Sequence, residues 1–377
     1  MALFWFALCC LGPVSLARAE TITPEFSTTA KGAVLIEAHN GKILWEKEPH
    51  ARQPIASMVK LMVMLLSSEA VEQGKVELTD SVTASENAAG MGGSQIFLAP
   101  HEVFTLKDLL IAVATASAND ASVALAEHLS GGVEVFVEEM NQRARELGLK
   151  DTHYVNATGL PAPGQYSSAY DQAVLLREAL KHPLFREITL IKEYDLRDGK
   201  FKCWNTNKLL WWYKGTDAGK TGFTDEAGFC LGSSVKREGL RLIAVVLGCP
   251  ETKCHFRESI RLYNWGFARF QAVPLAREGT RVATLPVERG LQERVDVLTG
   301  QDICLVVPRG KDKGMKRRLE LPSRLEAPLV KGQPVGSWIV SQEGQDLFYG
   351  KLVAARDIAR ANFLEMVLKT VRHVYEM

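Results

Sequence analysis

The chain has 377 residues and an almost balanced charge, with 45 Lys and Arg side chains against 44 Asp and Glu side chains. This length is enough for about two domains, and the apolar fraction of 46% can build real cores. A net charge of +1 gives no sign of the basic patch or stripe that nucleic-acid binding usually needs, so no nucleic-acid partner is expected.

Residues 1–19 are predicted to be a secretory signal peptide. The apolar run over residues 4–11 carries no charge and is too short to span a bilayer. Ala17 and Ala19 supply the small side chains that a signal peptidase requires next to its cleavage site. No basic residue precedes the run, so an atypical signal, a start further upstream and a buried N-terminal helix remain alternatives. We therefore expect an exported protein.

Removal of that segment leaves an odd number of cysteines, which cannot all pair within one chain. They are Cys203, Cys230, Cys249, Cys254 and Cys304. The spacing of Cys249 and Cys254 permits either a small disulfide loop or two free thiols. A zinc site would need a second Cys or His pair at matching spacing, and none is seen, so no metal is expected.

Residues 30–250 predict strands at both ends with helices between them. Asn40-Gly41 between two apolar runs indicates a β-hairpin, because both central residues of its turn need positive φ. The other apolar patterns predict helices over 58–66, 106–126, 133–147 and 166–180, and strands over 219–223, 228–235 and 240–247. This order favours an α+β fold in which helices flank an antiparallel sheet.

Beyond Pro274 the pattern changes to short strand-like runs separated by Gly, Pro and charged turns. Such runs, at 281–285, 293–298, 303–307 and 336–340, are typical of a small all-β domain. We accordingly expect a catalytic domain over residues 20–272, a β-rich domain over 273–356 and a final helix over 357–377.

The final helix is predicted to be amphipathic. Its apolar face would carry Phe363, Met366, Val367, Thr370, Val371 and Val374, and its charged face Glu365, Lys369, Arg372 and Glu376. A helix of this kind either lies on a membrane surface or packs against the β-rich domain.

Three short motifs occur in order: S-x-x-K at 57–60, S-x-N at 117–119 and K-T-G at 220–222. Decoys of the first two occur at 233–236 and 85–87. Ser233 and Lys236 lie on a predicted strand, where positions i and i+3 point to opposite faces. Ser57 and Lys60 start a predicted buried helix, where the same spacing shares one face. The decoy at 85–87 is expected in a loop or cap.

These residue types fit nucleophilic catalysis by a serine. A hydroxyl needs a base that removes its proton, and Lys60 can be that base only when burial or a nearby positive charge such as Lys220 keeps it neutral. Ser117 and Asn119 need a reason to be buried in an apolar helix. The alternatives are that these two are merely satisfied core groups, and that the K-T-G is a simple strand end.

With these motifs and the stretches 159–171 and 219–224, the chain resembles the low-molecular-mass penicillin-binding proteins that act as D-Ala-D-Ala carboxypeptidases. The resemblance covers most of residues 30–270. It implies a cofactor-independent hydrolase that removes the terminal D-alanine from peptidoglycan stem pentapeptides through an acyl-enzyme on Ser57. It also implies covalent inhibition by β-lactams and a C-terminal helix on the outer face of the bacterial cell membrane.

The resemblance further implies roles for single residues. Lys60 would be the general base, and Ser117 and Asn119 would relay the proton and hold the substrate amide. The other implied contacts are Lys220 and Thr221 with the substrate carboxylate, Gly222 in the same motif, and the backbone N–H groups of Ser57 and Phe223 in the oxyanion hole.

One position departs from the family pattern. Relatives carry an arginine after the last active-site strand that helps to bind the carboxylate, and its place here falls on His255. Histidine is only partly charged at neutral pH. Lys253 or Arg257 could supply the charge instead.

Two other functions compete with this one. A serine β-lactamase of the same fold would need a deacylating carboxylate before the third motif, but residues 156–170 contain no acidic side chain. A non-catalytic cell-wall-binding relative would not need the intact Ser57, Lys60 and Lys220.

Overall fold

The computed structural model describes residues 26–342 and 345–367. The predicted signal peptide and residues 368–377 of the predicted final helix lie outside this part of the chain. The described helices are α1 (Lys60–Glu72), α2 (Glu86–Ala89), α3 (Leu106–Thr115), α4 (Asn119–Ser130), α5 (Val133–Glu146), α6 (Ala169–Ala179), α7 (Pro183–Leu190), α8 (Leu209–Trp212) and α9 (Cys254–Arg269).

The strands of the N-terminal part form one main sheet and two short pairs. They are β1 (Gly32–Glu37), β2 (Ile43–Lys47), β3 (Ser81–Thr83), β4 (Val103–Thr105), β5 (Glu193–Leu196), β6 (Phe201–Trp204), β7 (Thr216–Thr224), β8 (Gly228–Arg237) and β9 (Leu240–Cys249). The main sheet is antiparallel with the order β2-β1-β9-β8-β7. The predicted hairpin and the three predicted C-terminal strands of this region are all present.

Alternation along β9 divides the core into two layers, because successive side chains of a strand point to opposite faces. Ile243, Val245 and Leu247 belong to the larger core that also contains the apolar side chains of α1, α3, α4 and α6. Leu242, Ala244 and Val246 pack with Leu262 and Tyr263 of α9 on the other face. The antiparallel sheet between helices confirms the predicted fold class.

The single helix predicted over 106–126 is wrong. The structure has two helices there, α3 and α4, and Ser117 between them has φ of 59° in the left-handed region. Apolar residues continue on both sides of the break, so the helical period does not reveal it. The break places Ser117 between the two helices and Asn119 at the first position of α4, so that both side chains join one cluster.

The C-terminal part is a separate all-β domain. Its strands are β10 (Phe270–Ala276), β11 (Arg281–Glu288), β12 (Arg294–Thr299), β13 (Ile303–Pro308), β14 (Lys316–Glu320), β15 (Leu325–Glu326), β16 (Pro334–Gln342) and β17 (Gln345–Ala354). They form a pair β10-β13 and a six-stranded sheet with the order β14-β16-β17-β12-β11-β15. The boundary predicted between residues 272 and 273 falls within β10.

After β17 the chain stays on this domain as far as Ala361, which is 7% exposed and donates its N–H to the carbonyl of Arg289. A helical turn then occupies residues 363–367. Asn362 and Glu365 cap it reciprocally, each side chain accepting from the other residue's N–H at 2.9 and 2.7 Å. The predicted helix start at residue 357 is therefore wrong, because residues 357–361 pack on the domain as irregular chain.

The apolar side chains of this last turn point outward, with Phe363 79% and Leu364 71% exposed. No helix within residues 26–342 and 345–367 has both the length and the apolar character needed to cross a membrane.

Candidate active site

The structure places Ser57 and Lys60 at one tight turn. Ser57 lies in a 3₁₀ turn, Ala56–Val59, which leads directly into α1, and Lys60 is the first residue of that helix. Lys60 Nζ is 3.1 Å from Ser57 Oγ. Ser57 is partly exposed whereas Lys60 is fully buried, so the hydroxyl is open to a ligand and the amine behind it is not.

A glycine holds this turn against the neighbouring loop. Gly159 has φ of 83°, and a Cβ atom there would lie 2.1 Å from the carbonyl oxygen of Ala56 and 2.7 Å from the nitrogen of Ser57. Only glycine allows so close an approach of two backbones in this conformation. The approach brings the carbonyl of Thr158 to Lys60.

The contacts of Lys60 are all with uncharged oxygen atoms. Its Nζ contacts Asn119 Oδ1 at 2.7 Å and the carbonyl oxygen of Thr158, and both of these atoms can only accept hydrogen bonds. A neutral amine has two N–H groups for them and one lone pair, which is left to accept the Ser57 hydroxyl proton. Burial and the positive charge of Lys220 hold the pKa of Lys60 well below its usual value, against the opposing effect of Asp120.

Lys220 on β7 connects the second and third motifs. Its Nζ donates to Ser117 Oγ at 2.8 Å and to the carbonyl of Thr221 at 2.9 Å. Both Lys220 and Ser117 are buried. Burial lowers the pKa of Lys220 to about 7, so its ammonium group loses its proton close to neutral pH.

Strand β7 is the edge of the main sheet that faces this cluster. A Cβ atom on Gly222 would lie 2.6 Å from the carbonyl oxygen of Ile55, so the missing side chain lets the strand approach the turn that carries Ser57. Thr221 donates its hydroxyl proton to Thr206 at 2.8 Å. Phe223 is 52% exposed and stacks on Phe229.

His255 is not placed as a charged group. It lies at the start of α9, is 6% exposed, stacks on Phe229 and packs at a tilt against Phe256. Burial lowers the pKa of His255 to about 4, so the ring is neutral at pH 7. The expected ionic contact with a carboxylate is therefore not available from this residue. Of the alternatives, Arg257 is exposed and pairs with two glutamates, Glu251 and Glu258.

The decoy motifs have structural roles. Ser233 Oγ is 2.9 Å from the hydroxyl of Tyr263 inside the sheet, and Ser85 caps α2 by accepting the N–H of Ala88. The prediction of a loop or cap at Ser85 is confirmed.

Sequence reasoning missed two backbone features of the site: the Thr158 carbonyl and the loop over residues 92–98 that contacts Asn119. Gly159, which opens one of the stretches noted in the sequence, was a signal for the first. The glycines of the loop were a weak signal for the second.

The five cysteines of the described chain are free thiols, which decides the open question about Cys249 and Cys254. Among the described residues, no group of three or more His, Cys, Asp and Glu side chains could hold a metal ion.

Comparison with known proteins gives two family matches. Residues 18–251 match the family described as D-alanyl-D-alanine carboxypeptidase, and residues 270–360 match the C-terminal domain of penicillin-binding protein 5. The chain is 40% identical over 353 residues to the D-alanyl-D-alanine carboxypeptidase DacF of Bacillus subtilis, an alignment that covers 93% of this chain and 91% of the relative.

Two solved structures are similar over much of the chain. Penicillin-binding protein 5 from Haemophilus influenzae is 35% identical with a TM-score of 0.76, covering 89% of this chain and 99% of that one. Penicillin-binding protein D2 from Listeria monocytogenes, in its ampicillin-bound form, is 31% identical with a TM-score of 0.59, covering 65% of this chain and 100% of that one. The chain belongs to the D-alanyl-D-alanine carboxypeptidase family of low-molecular-mass penicillin-binding proteins.

Proposed function

We propose that this serine carboxypeptidase removes the terminal D-alanine from peptidoglycan stem pentapeptides through an acyl-enzyme on Ser57. The observation that supports this most directly is the buried Lys60, whose amine is 3.1 Å from Ser57 Oγ while its two other contacts can only accept hydrogen bonds. This arrangement leaves the lone pair of the amine for the serine proton.

Acylation follows from these contacts. Lys60 takes the Ser57 proton while Oγ attacks the carbonyl carbon of the penultimate D-alanine. The carbon–nitrogen bond then breaks, and the departing D-alanine nitrogen takes this proton from Lys60 by way of the Ser117 hydroxyl, which leaves Lys60 neutral again. Water then attacks the ester carbonyl while Lys60 accepts the water proton, and Lys60 passes this proton to Ser57 Oγ as the ester bond breaks. Asn119 holds the amine and the substrate amide in place.

The third motif binds the other parts of the substrate. Lys220 and the hydroxyl of Thr221 lie on the edge strand and face the terminal carboxylate. The backbone N–H groups of Ser57 and Phe223 stabilise the oxyanion, because Gly222 allows the two backbones to approach.

The same chemistry explains β-lactam binding. A β-lactam is a cyclic amide, so attack by Ser57 opens the ring and leaves the leaving nitrogen tethered to the acyl-enzyme. The ampicillin-bound Listeria relative supports this proposal. No acidic residue lies in 156–170, which disfavours the fast deacylation of a β-lactamase.

We place the mature enzyme on the outer face of the bacterial cell membrane. The apolar run and small residues at the N-terminus support export. The outward-facing apolar side chains after Asn362 support surface attachment, because an amphipathic helix can insert one face into the headgroup region.

The first prediction concerns the nucleophile. Ser57→Ala should abolish both labelling by a fluorescent penicillin and release of D-alanine from a pentapeptide, because Ser57 carries the hydroxyl that contacts Lys60 Nζ. Ser233→Ala is the matched control: Tyr263 keeps its bond to the Ser233 carbonyl, so both activities should stay near wild type. Penicillin labelling that persists in Ser57→Ala would contradict the assignment of Ser57 as the nucleophile.

The second prediction concerns pH. Since the pKa of Lys220 is about 7, its positive charge is present below pH 7 and is lost above it. The value of kcat/KM for a pentapeptide should fall about tenfold for each pH unit above that point. The bound carboxylate stabilises the ammonium, so the fall in kcat should begin at higher pH.

Lys220→Arg should remove this alkaline fall even if its activity is lower, because a guanidinium does not titrate in this range. Lys214→Arg, at an exposed lysine before β7, should keep the wild-type profile. If kcat/KM of Lys220→Arg still falls at alkaline pH as in wild type, the group that titrates there is not Lys220.

The third prediction concerns attachment. Phe363→Asp with Val367→Asp should stop the mature protein from floating with anionic liposomes, because it places two charges on the apolar face. A chain that ends at Asn362 should behave likewise and keep its contacts with the β-rich domain. Val330→Asp, at a 62% exposed valine of that domain, should still float. Equal flotation of all variants, or of none, would contradict attachment through the final turn.

A further inference from the structure

The loop over residues 92–98 lies against the second motif. Asn119 donates its side-chain Nδ2–H to the carbonyl of Gly92 and its backbone N–H to the carbonyl of Ser94, both at 2.7 Å. A Cβ atom on Gly93 would lie 2.7 Å from Asn119 Nδ2, and this glycine has φ of 80°. The amide that contacts Lys60 is therefore held by this loop on its other side.

Asp120 holds the next part of the loop from inside. It is fully buried, and its carboxylate accepts the N–H groups of Ile96 at 3.1 Å and Leu98 at 3.0 Å. A buried carboxylate is stable only when its oxygens have partners such as these. Asn119 and Asp120 together thus satisfy four backbone groups of one short loop.

Arg197 holds the same residues from outside. Its guanidinium donates to the carbonyls of Ile96 at 2.8 Å and Phe97 at 3.0 Å. The pair with Glu102, at 2.8 and 2.9 Å, fixes the direction of the guanidinium. The ring of Phe104 packs against it.

The conformation of the loop requires such support. Phe97 has φ of 58° although it is not glycine, and it is 69% exposed. Arg197 itself has φ of 52°. Strained residues of this kind persist only where surrounding contacts determine them, and they cluster at functional sites.

We propose that Asp120 and Arg197 are positioning residues that fix the 92–98 loop from its two sides, so that Asn119 presents its amide oxygen to Lys60. This proposal rests on the role of Lys60 as the base for Ser57. In this proposal, neither Asp120 nor Arg197 contacts the substrate. Both act through Asn119, and Asp120 also acts on Lys60 through its charge.

The charge of Asp120 has a separate effect that can be measured through the pKa of Lys60. The charged groups that act on Lys60 are Lys220 on β7, which lowers the pKa of Lys60, and Asp120 on α4, which raises it. Asp120→Asn removes only the second effect. The pKa of Lys60 should then fall further, so that the acidic limb of the acylation rate moves to lower pH.

The experiment measures penicillin acylation of wild type, Asp120→Asn and Arg197→Gln by rapid mixing with a fluorescent penicillin. It separates the acylation rate constant from the dissociation constant of the first complex, across a range of pH. Hydrogen exchange of the amides of Ile96 and Leu98 reports on the loop. The matched control is Arg145→Gln, which breaks an exposed ion pair between Arg145 and Glu138 on α5.

We expect both loop variants to lower the acylation rate constant by about 10- to 100-fold with little change in the dissociation constant, because a misplaced catalytic group slows chemistry more than binding. Exchange at Ile96 and Leu98 should rise in both. Only Asp120→Asn should move the acidic limb, and Arg145→Gln should match wild type.

A folded Arg197→Gln enzyme with wild-type acylation and wild-type exchange would overturn the proposal, and so would Asp120→Asn with an unshifted acidic limb. Should Asp120→Asn fail to fold, the variant at the partly buried Arg197 still decides the positioning claim. Failure of wild type itself to be labelled at Ser57 would instead contradict the proposed function.

Discussion

Lys60 carries an amine that is buried with three uncharged partners, and the active site is organised around keeping that amine neutral. Its contacts are Ser57 Oγ, Asn119 Oδ1 and the Thr158 carbonyl, and the charges that shift its pKa are those of Lys220 and Asp120. Removal of water penalises the charged form. The amine can therefore act as a base at neutral pH, at which an exposed lysine could not.

The fold supplies this environment through backbone approaches. Gly159 and Gly222 let a loop and an edge strand come close to the turn that carries Ser57. The break between α3 and α4 turns Ser117 and Asn119 toward the same place. Four segments that are distant in the sequence thus pack together in one cluster. Each of these packing contacts depends on a glycine or on a residue with positive φ.

The sequence predicted the fold class, the hairpin and the strands of the main sheet because alternating and continuous apolar patterns report burial directly. It also identified the motif residues that the structure brings together around Lys60. It did not reveal the break after Thr115, because apolar residues flank both sides of it. Its only signals for the Thr158 carbonyl and the 92–98 loop were nearby glycines, since backbone contacts leave little trace in side-chain identity.

His255 is a second case in which the sequence did not predict the environment of a side chain. Its place in the sequence suggested a partly charged group at the carboxylate, whereas packing against Phe229 and Phe256 makes it a buried neutral ring. A position counted along the sequence does not report burial, and burial decides the charge of a histidine.

The most direct test of this account is the protonation state of Lys60 itself. Nitrogen NMR of lysine-labelled enzyme, with the Lys60 signal assigned by its absence in Lys60→Arg, measures that state without catalysis. The account predicts a neutral amine signal for Lys60 at pH 7. A Lys60 signal typical of an ammonium group that persists as the pH rises, until the pH at which ordinary lysines lose their proton, would contradict the central claim that burial makes Lys60 the base.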